Sequence, residues 1–135
     1  MRHFLLFAFA MAFLLSCGEK SNCELISSHE NGLKKEERCP KEGNWIFTEY
    51  HESGNVYIQG ELLQNELRNG IWISYYDNSQ KWSQQIYVDG SREGDYMVWW
   101  PNGKIRIQGQ YAKGQEVGKW FFYDELGVLV QSKDF

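Results

Sequence analysis

Residues suited to catalysis are scarce in this sequence. Of its three histidines, only His29 and His51 lie beyond the first 16 residues, and neither has a nucleophile or carboxylate at a diagnostic spacing. No glycine is followed by a helical pattern, as a phosphate-binding loop requires. Asp77, Asp124 and Glu125 fall in or beside predicted turns, where aspartate bonds backbone N–H groups. We therefore expect neither an enzyme nor a cofactor.

Basic residues and prolines are also few. There are 14 basic against 18 acidic residues, and the resulting net charge of −4 disfavours nucleic acid as a partner. The mixed charges at residues 34–38 are typical of a solvent-exposed strand or turn. Of two prolines, Pro101 stands just before a turn, so no proline interrupts a predicted strand.

Glycine and aromatic residues, in contrast, recur at a fixed period. Gly70, Gly94 and Gly118 are 24 residues apart. Aromatic residues follow each glycine after two and five positions, and a turn residue follows after nine. In order of unit, these are Trp72, Tyr75 and Ser79; Tyr96, Trp99 and Gly103; and Trp120, Tyr123 and Gly127. A period of about 20 to 50 residues indicates a repeat protein built from stacked supersecondary units.

The spacing inside one unit predicts a β-hairpin. The segment between glycine and turn is rich in Trp, Tyr and Ile and too short for a stable helix. The segment after the turn, such as residues 104–111, alternates apolar and polar residues as a half-buried strand does. Asn102-Gly103 is a hairpin signal because both residues tolerate positive φ. We predict an all-β, elongated antiparallel meander of hairpins, with roughly three and a half repeats and about seven or eight strands.

An earlier unit, which begins at Gly43 with Trp45 two positions later, is longer than the others. It needs two extra residues before its turn and one after it to match the period. A degenerate half-unit precedes it, so the predicted repeat domain spans residues 29–135. Because the pattern breaks in the longer unit, we predict a specialised binding site there. Its candidate residues are Tyr50, His51 and Glu52.

The recurring aromatic rings are expected to form ladders across the sheet. A recognition role is the alternative for some of them, because neighbours such as Trp99 and Trp100 point to opposite faces of a strand. One ring of each such pair is then exposed. The aromatic candidates for a binding face are Tyr76, Trp82, Trp99 and Trp100.

The N-terminus resembles a bacterial lipoprotein signal. Arg2 precedes an apolar run that ends in Leu14-Leu15-Ser16-Cys17, and that run is too short for a comfortable membrane span. We expect cleavage after residue 16, acyl chains on Cys17 and a tether over residues 17–28. The mature chain would then lie in the bacterial cell envelope, anchored to a membrane and facing the periplasm or the surface.

The cysteine count agrees with that compartment. Lipidation of Cys17 leaves Cys23 and Cys39, each eight residues from Asn31 in a predicted turn. A hairpin folded at that turn would place the two opposite each other as a disulfide, with two free thiols as the alternative. Zinc binding is not expected, because no second pair of ligands has suitable spacing.

The repeat pattern resembles the bacterial variant of the MORN repeat. The residues that carry the resemblance are Gly94, Tyr96, Trp99, Asn102, Gly103, Lys104, Tyr111 and Gly114, then Gly118, Trp120, Tyr123 and Gly127. It implies an array of β-hairpins that contacts proteins or membranes without a shared active site. Many bacterial members are labelled YwqK-like antitoxins, which implies binding to a toxin. The lipoprotein signal favours an envelope protein, such as an immunity-type binder of an incoming toxin.

Three functions follow as hypotheses. The first is a membrane-anchored, non-enzymatic protein-binding module whose partner is a toxin or an envelope protein. The second is an envelope lectin that binds glycans with exposed aromatic rings, and the third is a purely structural envelope component. The exposure of Tyr76 and Trp100 distinguishes them, because a lectin needs at least one free ring face.

Overall fold

The computed structural model describes residues 22–135, and its strands form one open sheet. The predicted signal peptide, residues 1–16, and the predicted lipidation site Cys17 lie outside the described residues. The strands are β1 (Glu24–Ser28), β2 (Lys34–Lys41), β3 (Asn44–Tyr50), β4 (Val56–Leu62), β5 (Arg68–Tyr75), β6 (Lys81–Val88), β7 (Ser91–Trp99), β8 (Ile105–Ala112), β9 (Gln115–Tyr123) and β10 (Leu129–Asp134). Chain neighbours are sheet neighbours, and every pair is antiparallel. The predicted all-β meander of hairpins is confirmed.

The sheet begins earlier than predicted and has ten strands within residues 22–135, not seven or eight. Residues 24–28, assigned above to the tether, form β1, and the charged segment after them forms β2. Contrary to the expectation for proline, β2 includes Pro40. Its missing N–H is tolerated because β1 pairs with β2 only as far as Arg38, so Pro40 has a strand neighbour on one side only.

A disulfide closes this polar end of the sheet. Cys23 and Cys39 are bonded with their Cα atoms 4.0 Å apart, immediately beyond the pair of Glu24 and Arg38. The expected pairing is therefore present, and its place follows from a hairpin centred on Asn31. A bridge across a separation of 16 residues contributes about 3 kcal/mol in the chain-entropy model. This contribution compensates for the poor strand-forming composition of β2.

Two kinds of connection join the strands. Five-residue loops at 29–33, 51–55, 76–80, 100–104 and 124–128 join the two strands of each hairpin, and all share one hydrogen-bond pattern. Two-residue turns at Glu42-Gly43, Asp89-Gly90 and Lys113-Gly114 have positive φ at both residues, as type I′ turns require. Asn102-Gly103 lies in a hairpin loop as predicted, but not because both residues have positive φ. Only Gly103 has positive φ, and Asn102 instead accepts the Lys104 N–H with its side chain.

The repeat glycines stand at irregularities in the strand pairing. Gly70, Gly94 and Gly118 have φ of 66°, 76° and 64°, a region where other residues are strained. Pairing with the preceding strand shifts register next to each of them. A Cβ at Gly70 or Gly118 would meet no atom within 4 Å. Glycine is therefore required there by the backbone conformation and not by lack of space. The resulting bulge brings the aromatic residue two positions later over the preceding strand.

Two tryptophans rest directly on glycine backbone. A Cβ at Gly60 would overlap the indole ring of Trp72, and one at Gly109 would overlap that of Trp120. Both rings are only 3% exposed. Phe47 packs on Trp72 with ring centroids 6.0 Å apart, and Tyr96 packs on Trp120 at 5.7 Å. We call the side of the sheet that carries these four rings the aromatic face.

The first repeat has a different register from the one predicted. Phe47 lies opposite Gly60, as Tyr96 lies opposite Gly109, so Phe47 and not Trp45 is the equivalent of Trp72. The extra length lies in the β4–β5 connection, where a loop at 63–67 replaces a two-residue turn, and not before the hairpin loop. The prediction failed because Gly43 belongs to a type I′ turn, whereas Gly70 belongs to a bulge.

The core is thin because there is one layer of structure. The buried hydrophobic residues within 22–135 are Trp72, Val98, Tyr111 and Trp120, all on the aromatic face. Rings that cover one another supply the burial that a second layer supplies elsewhere. Over the same residues, no helix is a candidate membrane span.

Replacing Gly109 with alanine will destabilise the fold, because the new methyl group overlaps the Trp120 ring. Overpacking of this kind costs about 1–3 kcal/mol, so we expect urea denaturation to give a free energy of unfolding lower by about 2 kcal/mol. Gln108→Ala, at an exposed neighbouring position, is the matched control and should change it by less than about 0.5 kcal/mol. Trp120→Phe should reduce the penalty of Gly109→Ala, and an undiminished penalty would contradict the overlap.

Candidate binding face

A groove crosses the middle of the aromatic face. It has a volume of about 590 Å³ and is lined by residues of the six strands from β3 to β8. Five strand spacings give it a length of about 24 Å. Trp72, Val98 and Gln85 form its buried floor, and Ser74 and Ser83 add hydroxyl groups. Such a groove is long enough for an extended ligand.

One wall consists of bulged residues, each packed on the first residue of its own hairpin loop. The second strand of these hairpins carries one unpaired residue just after the loop. The three pairs are Tyr57 with His51 (ring centroids 5.0 Å apart), Trp82 with Tyr76 (6.1 Å) and Arg106 with Trp100 (guanidinium carbon 4.4 Å from the ring centroid). Tyr57 and Trp82 also contact each other, at 6.2 Å, so the wall continues from one repeat to the next.

In four of the five-residue hairpin loops, those at 29–33, 51–55, 76–80 and 100–104, the first residue also contacts the next hairpin along the sheet. Its side chain donates a hydrogen bond to the backbone carbonyl group just before the loop of that hairpin. The pairs are His29 with Tyr50 (2.9 Å), His51 with Tyr75 (3.0 Å), Tyr76 with Trp99 (2.8 Å) and Trp100 with Tyr123 (3.0 Å). Nε2 of both histidines therefore carries the proton. In the last loop, Asp124 instead accepts N–H groups of its own loop, which agrees with its predicted turn role.

The structure brings together only some of the predicted site residues. Trp82 lines the groove itself, His51 and Tyr76 pack against the wall residues Tyr57 and Trp82, and Trp100 lies one loop further on. All four are partly exposed, and Nε2 of His51, the hydroxyl of Tyr76 and Nε1 of Trp100 are used in loop contacts. Their partly exposed rings can contact a ligand.

The other predicted residues lie elsewhere. Trp99 is on the opposite face, because it neighbours the buried Val98 on β7. Glu52 is exposed in a hairpin loop, and its backbone carbonyl accepts a hydrogen bond from Asn31. His51 and Glu52 thus have different surroundings, and a specialised site in the longer unit stays a prediction.

Tyr50 has a structural role in an ionic contact. Its hydroxyl donates a hydrogen bond to the carboxylate of the buried Glu37, which also pairs with Lys34 at 2.6 Å. Hydrogen bonds from Lys34 and Tyr50 hold the pKa of Glu37 below its usual value. Burial, together with the Glu37 contact, raises the pKa of Tyr50 to about 12. Tyr50 therefore joins β3 to β2.

Three arginines and Tyr57 line the groove but were not among the predicted residues. Arg68 has its guanidinium carbon 4.1 Å from the ring centroid of Trp72, and that of Arg92 is 5.0 Å from the centroid of Tyr111. With Arg106 on the wall, they make the groove both aromatic and cationic. The period itself was the available signal, because Arg68 and Arg92 are 24 residues apart.

The side chains that line the groove suit noncovalent contacts. Residues 22–135 contain no group of three or more His, Cys, Asp or Glu side chains placed to hold a metal ion. The groove presents aromatic surfaces, guanidinium groups and serine hydroxyls. These groups bind ligands by stacking, ion pairing and hydrogen bonding.

Comparison with known families agrees with the repeat pattern. Residues 68–89 and 92–113 match the model described as the MORN repeat variant, and these segments are the β5–β6 and β7–β8 hairpins. The resemblance inferred from the sequence is confirmed for these two adjacent repeats. MORN repeats are generally protein-binding or membrane-binding modules. No curated protein matches the chain significantly.

Replacing Tyr50 with phenylalanine tests the contact with Glu37. A hydrogen bond to a charged group contributes about 1.5–3 kcal/mol, so we expect the free energy of unfolding at pH 7 to fall by about that amount. Because the pKa of Glu37 is lowered from 4.5, this stabilisation is complete above pH 4.5 and is lost as the pH falls through the lowered pKa. Because the pKa of Tyr50 is raised from 10.0, it is complete below pH 10.0 and is lost as the pH rises through about 12.

The measurement is urea denaturation of wild type and variant across this pH range. Tyr57→Phe is the matched control, because the Tyr57 hydroxyl has no hydrogen-bond partner within residues 22–135. A difference between wild type and Tyr50→Phe that does not depend on pH would contradict the proposed contact.

Proposed function

We propose that this protein is a membrane-anchored, non-enzymatic module that binds another protein in the groove of its aromatic face. The observation that carries the proposal is the groove itself, about 590 Å³ in volume and lined from β3 to β8. Many of its aromatic side chains are only partly buried. This is notable in a one-layer sheet, which buries few hydrophobic residues and would gain stability by burying more. Partly exposed aromatic residues beside arginines are the composition that protein interfaces favour.

The setting that we propose is the bacterial cell envelope. It rests on the sequence pattern of residues 1–17, in which an apolar run is followed by Ser16 and Cys17. Acyl chains on Cys17 would hold the sheet at a membrane surface, where it meets envelope proteins or an incoming toxin. Binding to a toxin would make the protein immunity-like, in keeping with the antitoxin label of similar repeat proteins.

Replacing Cys17 with serine tests the anchor. Cells fed an alkyne-tagged fatty acid should incorporate the tag into the wild-type protein, and Cys17→Ser should abolish the incorporation because no thiol remains to be acylated at that position. The double variant Cys23→Ser, Cys39→Ser is the matched control and should be tagged like the wild type. Equal tagging of Cys17→Ser would rule out the proposed anchor.

Photocrosslinking in cells tests the binding groove. With benzoyl-phenylalanine at position 82, inside the groove, we expect one dominant protein adduct. The same residue at position 99, on the opposite face, should give little, although Trp99 is also partly exposed. Equal capture from both positions, or none from position 82, would contradict the proposal. A polysaccharide adduct at position 82 would favour the lectin alternative instead.

A further inference from the structure

We propose that the groove selects an extended acidic peptide segment, in which Arg68 and Arg92 bind carboxylate groups spaced about three residues apart and Arg106 adds positive charge at the groove wall. The inference rests on the proposed function, because it states the chemistry of the partner that the same groove would take. It goes further by naming the residues that choose that partner.

The charge of the groove is opposite to that of the chain. The whole sequence has a net charge of −4, but the charged residues that line the groove are three arginines and Glu49. Over residues 22–135, no carboxylate lies within 4.0 Å of any of the three guanidinium groups. This distribution leaves three positive charges for a ligand to neutralise.

Arg38, on the same face but outside the groove, does have carboxylate partners. It lies opposite Phe47 on the aromatic face, with its guanidinium carbon 4.8 Å from the ring centroid of Trp45. Unlike the groove arginines, it pairs with Glu24 at 2.9 Å and Glu66 at 3.1 Å. The same combination of arginine and aromatic ring therefore occurs with and without carboxylate partners, and the pairs are missing inside the groove.

The guanidinium groups are positioned before a ligand arrives. Arg68 lies over Trp72, Arg92 lies over Tyr111 and donates to its hydroxyl at 3.0 Å, and Arg106 lies over Trp100. A guanidinium group has five N–H donors at its edge, and contact between its flat face and a ring leaves most of them free. Binding a carboxylate then costs little side-chain entropy.

The spacing of the arginines favours one peptide geometry. Arg68 and Arg92 occupy equivalent repeat positions on β5 and β7, which are two strand spacings or about 9.6 Å apart. In a polyproline II helix, residues three apart lie on the same side and are separated by about 9.3 Å. In a β-strand, residues on the same side are separated by about 6.6 or 13 Å. An acidic residue at every third position in polyproline II geometry therefore matches the two arginines.

The rest of the groove suits the same ligand. Partly exposed aromatic rings such as Tyr57, Trp82 and Tyr96 can pack against the apolar residues between the acidic ones, as aromatic-lined grooves do with proline-rich segments. A polyproline II backbone has no internal hydrogen bonds, and the hydroxyls of Ser74 and Ser83 can donate to its carbonyl groups. A chain of sugars would use the rings but would not account for the spacing of the arginines.

The test uses the protein expressed from its full sequence and purified in a non-ionic detergent. The probes are fluorescent peptides of four identical triplets, Glu-Pro-Pro, Gln-Pro-Pro or Lys-Pro-Pro, and binding is measured by fluorescence anisotropy in low salt. The acidic peptide should bind saturably, the glutamine peptide at least about tenfold more weakly and the lysine peptide not at all. Losing one hydrogen bond to a charged partner corresponds to about a tenfold loss of affinity.

Arg92→Gln and Arg68→Gln should each weaken binding of the acidic peptide by about tenfold or more. Arg38→Gln is the matched control and should leave affinity unchanged within about twofold, because Glu24 and Glu66 already neutralise Arg38. Near-ultraviolet circular dichroism checks that each variant is folded. An Arg92→Gln effect no larger than that of Arg38→Gln would overturn the inference.

The remaining outcomes separate this inference from the proposed function. Equal affinity for the glutamate and glutamine peptides overturns charge selection but leaves a groove that binds peptides. If an oligogalacturonate, which is an acidic chain of sugars, binds in a way that needs Arg92 while the acidic peptide does not bind, the ligand is not a peptide and the inference fails. If no peptide binds while position 82 still captures a protein in cells, only the inference fails. Failure of that capture counts against the proposed function itself.

Discussion

The fold depends on the contact between an aromatic ring and the glycine backbone of the preceding strand. A single-layer sheet has no second layer to cover it, so apolar burial must come from side chains that lie along its own face. Bulges at Gly70 and Gly118 bring Trp72 and Trp120 onto Gly60 and Gly109. Each hairpin thus gains its burial from its neighbour, which is the energetic pattern of repeat proteins.

The hairpin loops fix the spacing of these stacked units. His51, Tyr76 and Trp100 each hydrogen-bond the carbonyl group before the next loop, and each also packs against a bulged residue of the groove wall. A side chain with two such contacts has little freedom left to lose on binding. The residues that set the repeat distance therefore also make the groove rigid.

The sequence predicted the hairpins because the bulge glycines, loop residues and rings each act locally and recur with the period. Residues 24–28 were assigned to the tether, although the disulfide hairpin expected around Asn31 already places them opposite the charged strand β2. The sequence pattern misplaced Trp45, because a turn glycine such as Gly43 and a bulge glycine such as Gly70 look alike in sequence. The groove as a whole was not predicted, because one bulged residue per strand decides which side chains reach the aromatic face, although the period relates Arg68 to Arg92 and Trp82 was a predicted residue.

The distance between Arg68 and Arg92 keeps their mutual repulsion small in the free protein. Two unit charges about 9.6 Å apart repel by about 0.4 kcal/mol in water, and salt at about 0.15 M screens most of that. A charge-assisted hydrogen bond contributes about 1.5–3 kcal/mol. The free groove therefore loses little by keeping Arg68 and Arg92 without carboxylates, while an acidic ligand gains several times as much at each. Carboxylate partners within the chain, such as those of Arg38, would satisfy the groove arginines before a ligand arrives and so reduce the free energy gained on binding. Without such partners, the groove arginines contribute to ligand affinity and not to the stability of the fold.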